Sequence, residues 1–428
     1  MDISAPRGTK DVLPDEARRW RFVEDTFRRL CSLYGYGEIR TPVFEHTELF
    51  VRGVGEGTDI VSKEMYTFLD KGGRSITLKP EGTAPAARAY VEHHLGGQGA
   101  VTKLFYITPI FRYERPQAGR LRQAHQVGLE VFGAASPSAD AEVIQLTMAF
   151  YEALGLKDLE LRLNSLGDAE CRRRYREALL AYAASYIASL PEDAAERMRN
   201  NPLRLLDSKD PECIEAMAGA PSILDYLEPE SREHFVRLQA LLHDLGVSFV
   251  LEPRLVRGLD YYNRTVFEVV SGSLGAQNSV CGGGRYDGLV ELCGGPPTPA
   301  VGVAMGIERA LMLLDEEALG AEEAPIAFVV AIGTDMGPRA LKLATQLRRA
   351  GIAAELDLES RSAKSQFRQA DRSGARFAVV LGEDEWSRGA VTLKDLRTQS
   401  QAEVPLSDLP TALQLPAPQG SGFPPSWE

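Results

Sequence analysis

Apolar residues recur at helical spacing near the start of the chain. Trp20, Val23, Phe27, Leu30 and Tyr34 fall on one face of residues 14–34, and Pro14 suits a first turn, so the spacing predicts an amphipathic helix. Gly35-Tyr36-Gly37 breaks it, and an extended segment follows at 38–44, where Pro42 belongs at a sheet edge or an interface. Short strand patterns come next at 75–79, 104–113, 126–133 and 159–163. Hairpins and loops join them, which predicts a mainly antiparallel sheet flanked by helices, an α+β arrangement.

The pattern changes at 168–248, which is rich in Ala, Leu, Arg and Glu at helical spacing and is interrupted by Pro202, Pro211, Pro221 and Pro229. This reads as a helical insertion between two halves of one sheet domain. Strand signals resume at 247–251, 265–270 and 279–286. An acidic stretch then ends in proline, and we set a linker at 319–325. Beyond it the order is strand (326–332), helix (338–350), strand (352–358), helix (362–373) and strand (376–382), an α/β alternation with parallel pairs. The expected division is a first domain at 1–318, a second at 326–415 and a disordered Pro/Gly-rich tail at 416–428.

At 428 residues, with 44% hydrophobic and 25% charged side chains, the composition is that of an ordinary globular protein of two or three domains. No apolar run approaches membrane-span length, and residues 1–20 carry no secretory-signal pattern. Cys31, Cys171, Cys213, Cys281 and Cys293 are scattered without CxxC pairs, which argues against a zinc site and a disulfide framework and for a reducing cytoplasm. The net charge of −12 does not advertise a nucleic-acid binder, so any RNA contact must come from local basic surface.

Four segments carry candidate chemistry. In RLVRGLDYYNRTVFE (254–268), Arg257 precedes Asp260, Tyr261 and Tyr262 at the mouth of a β-type run. A planar cation, two phenols and a carboxylate suit a small polar molecule bearing an anion; the bland alternative is a structural salt bridge from Arg257 to Asp260 or Glu252. In FRYERPQAGRLRQAHQVGLEVFG (111–133), Arg112, Arg115, Arg120 and Arg122 surround a turn. That is either a basic loop over a phosphate-rich ligand, with Arg112 gripping bidentately, or a solvated hairpin whose arginines pair with Glu114 and surface carboxylates. Gly282-Gly283-Gly284, followed by Arg285 and Tyr286, marks either a close backbone approach or a turn, and it lacks the GxGxxG spacing of a dinucleotide loop. Arg361, Lys364, Arg368, Arg372 and Arg376 line one helix face with cations, an arrangement that is most often simply a solvated face.

These segments together resemble the histidyl-tRNA synthetase family of class II aminoacyl-tRNA synthetases. RGLDYY and the glycine run are similar to the family's two signatures. Residues 38–44, FRYERP and VGVAMGIERALMLL (301–314) look like motifs 1, 2 and 3, in the correct order. The resemblance implies a class II antiparallel catalytic sheet, an anticodon-binding α/β domain and a homodimer with Pro42 at its interface. It implies a cytoplasmic ligase, with no membrane role, that joins L-histidine to tRNA(His) through a histidyl-adenylate. Arg257 and Arg112 would then be catalytic, with Arg257 standing where other class II enzymes place a metal. Histidine would be held by Glu81, Gly82 and Thr83 of the EGT segment and by Arg112, Gln126, Glu130, Arg257, Tyr261, Tyr262 and Tyr286. Among these, Glu130 and Tyr262 would fix the two imidazole nitrogens. ATP would lie against Arg112, Glu114, Arg120 and Arg309, with Mg2+ carried mainly by phosphate oxygens and no metal-ligating protein residue assigned. One departure stands out: the family's aromatic on the motif 2 return strand is Ala124 here, so the backing of adenine is not carried over. The rival expectations are a regulatory paralogue serving ATP phosphoribosyltransferase, which typically lacks RGLDYY and the anticodon domain, and a synthetase for proline or threonine.

Overall fold

The N-terminal apolar face forms helix α1 (Pro14–Leu33), with Pro14 in its first turn and Trp20, Val23, Phe27 and Leu30 buried. Phe27 meets Phe105 and Phe150 edge to face at ring-centroid distances of 5.7 and 5.1 Å, which pins the helix beneath a large sheet. In this computed structural model the described residues are 3–97, 101–116, 119–200, 202–206, 210–275, 278–319 and 326–413. The tail expected at 416–428, and all of the expected linker except Leu319, lie outside them. The chain divides into two units, one ending at Leu319 and the other beginning at Gly320.

The extended segment expected at 38–44 is in fact two strands in different sheets. β1 (Gly37–Glu38) pairs with the large sheet, and β2 (Phe44–His46) belongs to a small one. Pro42 sits in the gap, where a residue that cannot donate to a ladder interrupts pairing. After α2 (Thr47–Val54), strands β3 (Tyr66–Leu69) and β4 (Ser75–Leu78) complete the small sheet in the order β2-β4-β3. Helix α3 (Thr83–Glu92) leads to the hairpin arms β5 (Thr102–Phe111) and β6 (Gln123–Phe132), paired antiparallel over ten residues without a register break.

Helix α4 (Pro137–Ala153) and strand β7 (Leu159–Ser165) follow. The helical insertion comprises α5 (Ala169–Tyr182), α6 (Ala184–Ser189), α7 (Glu192–Asn200), α8 (Pro211–Ala216) and α9 (Pro229–Asp244). It returns as β8 (Val250–Leu251), shorter than the strand expected at 247–251 and parallel to β7. A parallel pair requires a crossover, and the insertion is that crossover. Then come β9 (Asn263–Ser271), β10 (Ser279–Arg285), α10 (Leu289–Leu292), β11 (Ala300–Gly306) and α11 (Ile307–Leu313). The eight-stranded order is β1-β5-β6-β11-β10-β9-β7-β8, parallel only at its two edges. The mainly antiparallel expectation therefore holds.

A buried polar cluster ties this unit together. The fully buried Arg285 guanidinium is ion-paired with the fully buried Asp140 of α4. It also donates to Ala134 O at 2.9 Å and to Asp287 at 3.1 Å, while His234 of α9 lies 3.4 Å from Asp140. Burial alone would raise the Asp140 carboxyl, but His234 and the Arg285 charge outweigh it and hold it below the ordinary carboxylate range.

The second unit contains β12 (Ala327–Ala331), α12 (Met336–Arg349), β13 (Ala354–Leu356), α13 (Ala363–Arg372), β14 (Phe377–Leu381), α14 (Glu383–Ser387), β15 (Ala390–Asp395), β16 (Gln401–Pro405) and α15 (Leu409–Leu413). The parallel pairs β13-β12-β14 are extended by antiparallel β15 and β16, so the sheet is mixed where only parallel pairs were expected. On α13 the buried Gln366 side chain accepts from Ala331 N and donates to Ala331 O. That leaves Lys364, Arg368 and Arg372 exposed, while Arg361 is paired with Glu359 and Arg376 with Asp395.

Candidate active site

The antiparallel sheet forms the floor of a cavity of about 650 Å³ in the first unit. Motif 2 supplies one wall. Arg112, at the end of β5, donates through Nε to Pro80 O at 2.8 Å, so the EGT segment aims its guanidinium. Glu114 Oε2 is ion-paired with Arg120 at 3.1 Å, and its Oε1 lies 3.9 Å from Arg112. Arg122 turns away, stacking 4.0 Å from the Tyr113 ring. Gln126 faces the cavity from β6, and its buried Oε1 lacks a hydrogen bond. A neutral acceptor left unpaired at depth is suited to a donor such as an ammonium.

The opposite wall is the RGLDYY loop. Arg257, Tyr261 and Tyr262 all line the cavity. Arg257 lies over Gly282 of β10, where any Cβ would fall well inside van der Waals contact of its guanidinium. In the sheet register Gly282 is opposite Glu268 of β9, so the Arg257 Nη1 meets Glu268 at 3.1 Å. The partner is thus Glu268, not the Asp260 or Glu252 considered from sequence, because Glu268 is close only after β9 and β10 pair. Burial opposes the Arg257 charge, but the fields of Tyr262 and Glu268 outweigh it and hold the group above its ordinary range. Its Nε makes no hydrogen bond among the described residues. Burial pushes the Tyr262 phenol up to about 12, so it is a neutral donor at physiological pH.

Glu81 and Thr83 reach the cavity from the start of α3. Glu81 accepts from the backbone N–H of Thr83 and of Ala84, each at 2.7 Å, which is the placement a carboxylate takes at a helix N-terminus. Glu130 and Tyr286, expected in contact with the amino acid, lie one layer behind the wall. Glu130 is fully buried and accepts from Thr83 Oγ1 at 2.7 Å, from Tyr106 at 3.0 Å and from the Tyr286 hydroxyl. Gly82 does not line the cavity either. It leaves room for the Tyr106 ring, which a Cβ would strike, and Gly302 leaves comparable room for the Glu130 carboxyl. Arg309, in the first turn of α11, donates to Ser279 O at 2.7 Å and lines the cavity. Beside Ala124 the lining is aliphatic, from Ile110 and Leu121.

Sequence reasoning missed Tyr106, Glu268 and the clamp between His125 and Glu308. Glu308 accepts from the His125 backbone N–H at 3.0 Å and contacts its ring Nδ1 at 3.0 Å, while Trp20 packs edge to face on that ring. The signal for Tyr106 was available: two glycines, Gly82 and Gly128, both vacate space for it.

Two consequences can be measured. Gly282→Ala would displace the flexible end of Arg257 rather than break the strand. We expect activity to fall toward that of an Arg257 deletion with a nearly unchanged melting temperature; full activity would show that Arg257 is not seated there. Burial pushes the Glu130 carboxyl up to about 8 from its ordinary value. A raised folded-state value means that the protonated form favours folding. The contribution is fully present below the unfolded value and is lost as pH rises through about 8. Glu130→Gln should therefore flatten the decline in urea stability between roughly pH 5 and 9; an unchanged pH profile would contradict an uncharged buried Glu130.

Among the described residues no cluster of three or more His, Cys, Asp or Glu side chains could hold a metal ion, and no helix is long and apolar enough to cross a membrane. All five cysteines are free.

Comparison with known proteins places these features in context. The model of the histidyl-tRNA synthetase family matches residues 8–310, and that of an anticodon-binding domain matches residues 327–415. The histidine–tRNA ligase of Caldanaerobacter subterraneus subsp. tengcongensis is 50% identical over 416 residues, covering 97% of this chain and all of that protein. The ligase of Geobacillus kaustophilus is 51% identical over 414 residues, covering 96% and 97%. Among solved structures, the apo S. aureus histidyl-tRNA synthetase aligns with a TM-score of 0.81 at 40% identity, covering 96% of this chain and 100% of that one. A Bacillus halodurans structure described as an ATP phosphoribosyltransferase regulatory subunit/histidyl-tRNA synthetase aligns at 0.65 with 25% identity, covering 89% and 99%.

Proposed function

The chain belongs to the histidyl-tRNA synthetase family, and on that premise we propose that it activates L-histidine with ATP and transfers it to tRNA(His). A histidine carboxylate oxygen attacks the α-phosphorus, the bond to the β-phosphate's bridging oxygen breaks, and pyrophosphate leaves. A terminal ribose hydroxyl of the tRNA then attacks the acyl carbon and AMP departs. The observation that carries this reading is the convergence of Arg112, Arg257 and Arg309 on the cavity that also holds Tyr262, Gln126 and Thr83.

In the first step negative charge builds on the α-phosphate's non-bridging oxygens. Arg257 and Arg112 stabilise it as fixed cations already desolvated by the protein. Arg309 and Arg120 hold the rest of the triphosphate. Glu81, Thr83 and Gln126 receive the substrate's ammonium, and Tyr261 shapes its seat, while Gly82 makes room for Tyr106 behind it. Tyr262 donates to one imidazole nitrogen from the cavity wall, while Glu130, behind that wall, acts through Thr83, whose hydroxyl it holds. A side chain that cannot accept from Tyr262 leaves that buried hydroxyl unpaired, and this is a source of selectivity. Mg2+ borne on the triphosphate would neutralise part of its charge. Glu114, which lines the cavity beside Arg112 and Arg120, is the carboxylate that would face it.

The same proposal assigns catalysis to 1–318 and anticodon contacts to the second unit, where Lys364, Arg368 and Arg372 offer an exposed cationic face. It also includes work as a homodimer in the cytoplasm. Val43, Phe44, Phe68 and Leu69 are exposed apolar side chains around the small sheet that follows Pro42, a surface suited to a second copy. Sedimentation at micromolar concentration should give twice the chain mass; a monomer would overturn the dimer.

The decisive assay is histidine-dependent exchange of pyrophosphate into ATP, followed by charging of tRNA(His). Exchange driven by proline or threonine would move the specificity elsewhere, and no exchange at all would point to a regulatory paralogue.

A further inference from the structure

The RGLDYY loop is held from behind by the helical insertion. Arg172, in the first turn of α5, donates through Nη1 to the Tyr262 carbonyl oxygen at 2.9 Å. That turn is itself fixed, because Asp168 caps it by accepting from Cys171 N at 2.8 Å. Two residues past Tyr262, Arg264 takes φ +47°, an uncommon conformation for a side chain of this size. It is kept there by paired backbone hydrogen bonds at 2.7 Å, Leu166 N to Arg264 O and Arg264 N to Gly167 O. Its guanidinium also reaches Glu230 of α9 at 2.6 Å. At the other end of the loop, Asn164 donates to Pro253 O and Leu255 O at 3.2 and 3.0 Å. The loop is therefore a partition. Arg257, Tyr261 and Tyr262 face the active-site cavity, and Asp260 faces a second cavity of about 850 Å³ that Arg172 also lines.

We infer that Arg172 is a positioning residue for the histidine pocket, one that makes the set of the helical insertion a determinant of amino-acid affinity. The inference rests on the functional reading above and goes beyond it. The insertion acts at the Tyr262 end of the loop through a main-chain carbonyl, so its influence falls first on the amino acid. Arg112, Arg120 and Arg309 come from other elements, and Arg257, five residues upstream, is held separately by Glu268. Small displacements of a recognition side chain are costly, because a hydrogen bond weakens steeply with misalignment.

The test uses the full-length protein without tRNA and measures histidine and ATP constants by pyrophosphate exchange. Arg172→Ala is expected to raise KM for histidine by about tenfold or more, the scale of one lost charge-assisted hydrogen bond, with KM for ATP and kcat changed far less. Arg172→Lys, which can still donate to a carbonyl, should recover part of the loss. Arg173→Ala should change neither constant, since Arg173 is exposed and paired with Glu170 and Glu177. If Arg172→Ala does not fold, Asp168→Ala decides the matter: it loosens the same turn with Arg172 retained and should raise the histidine constant alone. Unchanged histidine KM in folded Arg172→Ala, or equal rises for histidine and ATP, would overturn the inference alone. No exchange by the unaltered chain would overturn the functional reading and this inference with it.

Discussion

Arg257→Ala is expected to slow histidyl-adenylate formation by about 10²–10³-fold, the loss found when one preorganised donor to a developing oxyanion is removed. Histidine affinity should change much less, because the cation acts where charge appears during the reaction, not on the bound amino acid. The geometry supports a fixed role. Arg257 is pressed over Gly282, held by Glu268 at 3.1 Å, and largely shielded from water. A lysine substitution should restore little, since a single ammonium cannot occupy the planar seat and hold Glu268 at once. Single-turnover measurement of adenylate at saturating histidine and ATP would check this. Equal losses in rate and affinity would reassign Arg257 to binding, and no loss in either would make its contact with Glu268 merely structural.

The second large effect concerns folding. Asp140→Ala should lower the unfolding free energy by about 3–5 kcal/mol, because it leaves the Arg285 guanidinium buried without its counter-charge. Both groups are fully buried, so solvent does little to moderate the loss. Replacing both partners with apolar residues of similar volume, Asp140→Leu with Arg285→Met, should cost less than either single change. Denaturant unfolding of the three variants gives the comparison. A double variant as unstable as the sum of the singles would show that the hydrogen bonds to Ala134, Asp287 and His234 matter more than the charge pair.

Much of this was legible because its signals are local. The α1 face can be read from Trp20, Val23, Phe27 and Leu30 alone, since helical period depends only on near neighbours. The segments RGLDYY, FRYERP and GIER identify the family for the same reason, being contiguous. What escaped depends on pairing between distant strands. Glu268 becomes the neighbour of Arg257 through the register of β9 on β10, which sets it opposite Gly282, the glycine over which Arg257 lies. The resemblance made Glu130 a lining residue. A motif names the position but not its depth, which Tyr106 and Tyr286 settle by closing over it. Pro42 split one expected strand into two, because a missing donor ends a ladder more firmly than extended propensity continues it. In the second unit, Val391 and Leu393 alternate with Thr392 and Lys394, and Ala402 and Val404 with Gln401 and Glu403. Each run is so short and polar that the antiparallel hairpin they add to the sheet goes unread.

The position of β11 bears on how the molecule is made. Ala300–Gly306 is the last strand of the first unit to leave the ribosome, yet it wedges between β6 and β10. Until it arrives, β6 keeps a bare edge, joined by that of β10 once Arg285 has been made. At translation speeds of ~5–20 residues per second, the wait from the end of β6 at Phe132 is on the order of ten to thirty-five seconds. Throughout that interval the nascent polypeptide offers unpaired ladders to any neighbour, which makes it a natural client for holding chaperones. It can gain no steadiness from histidine or ATP, because the seat for either does not yet exist.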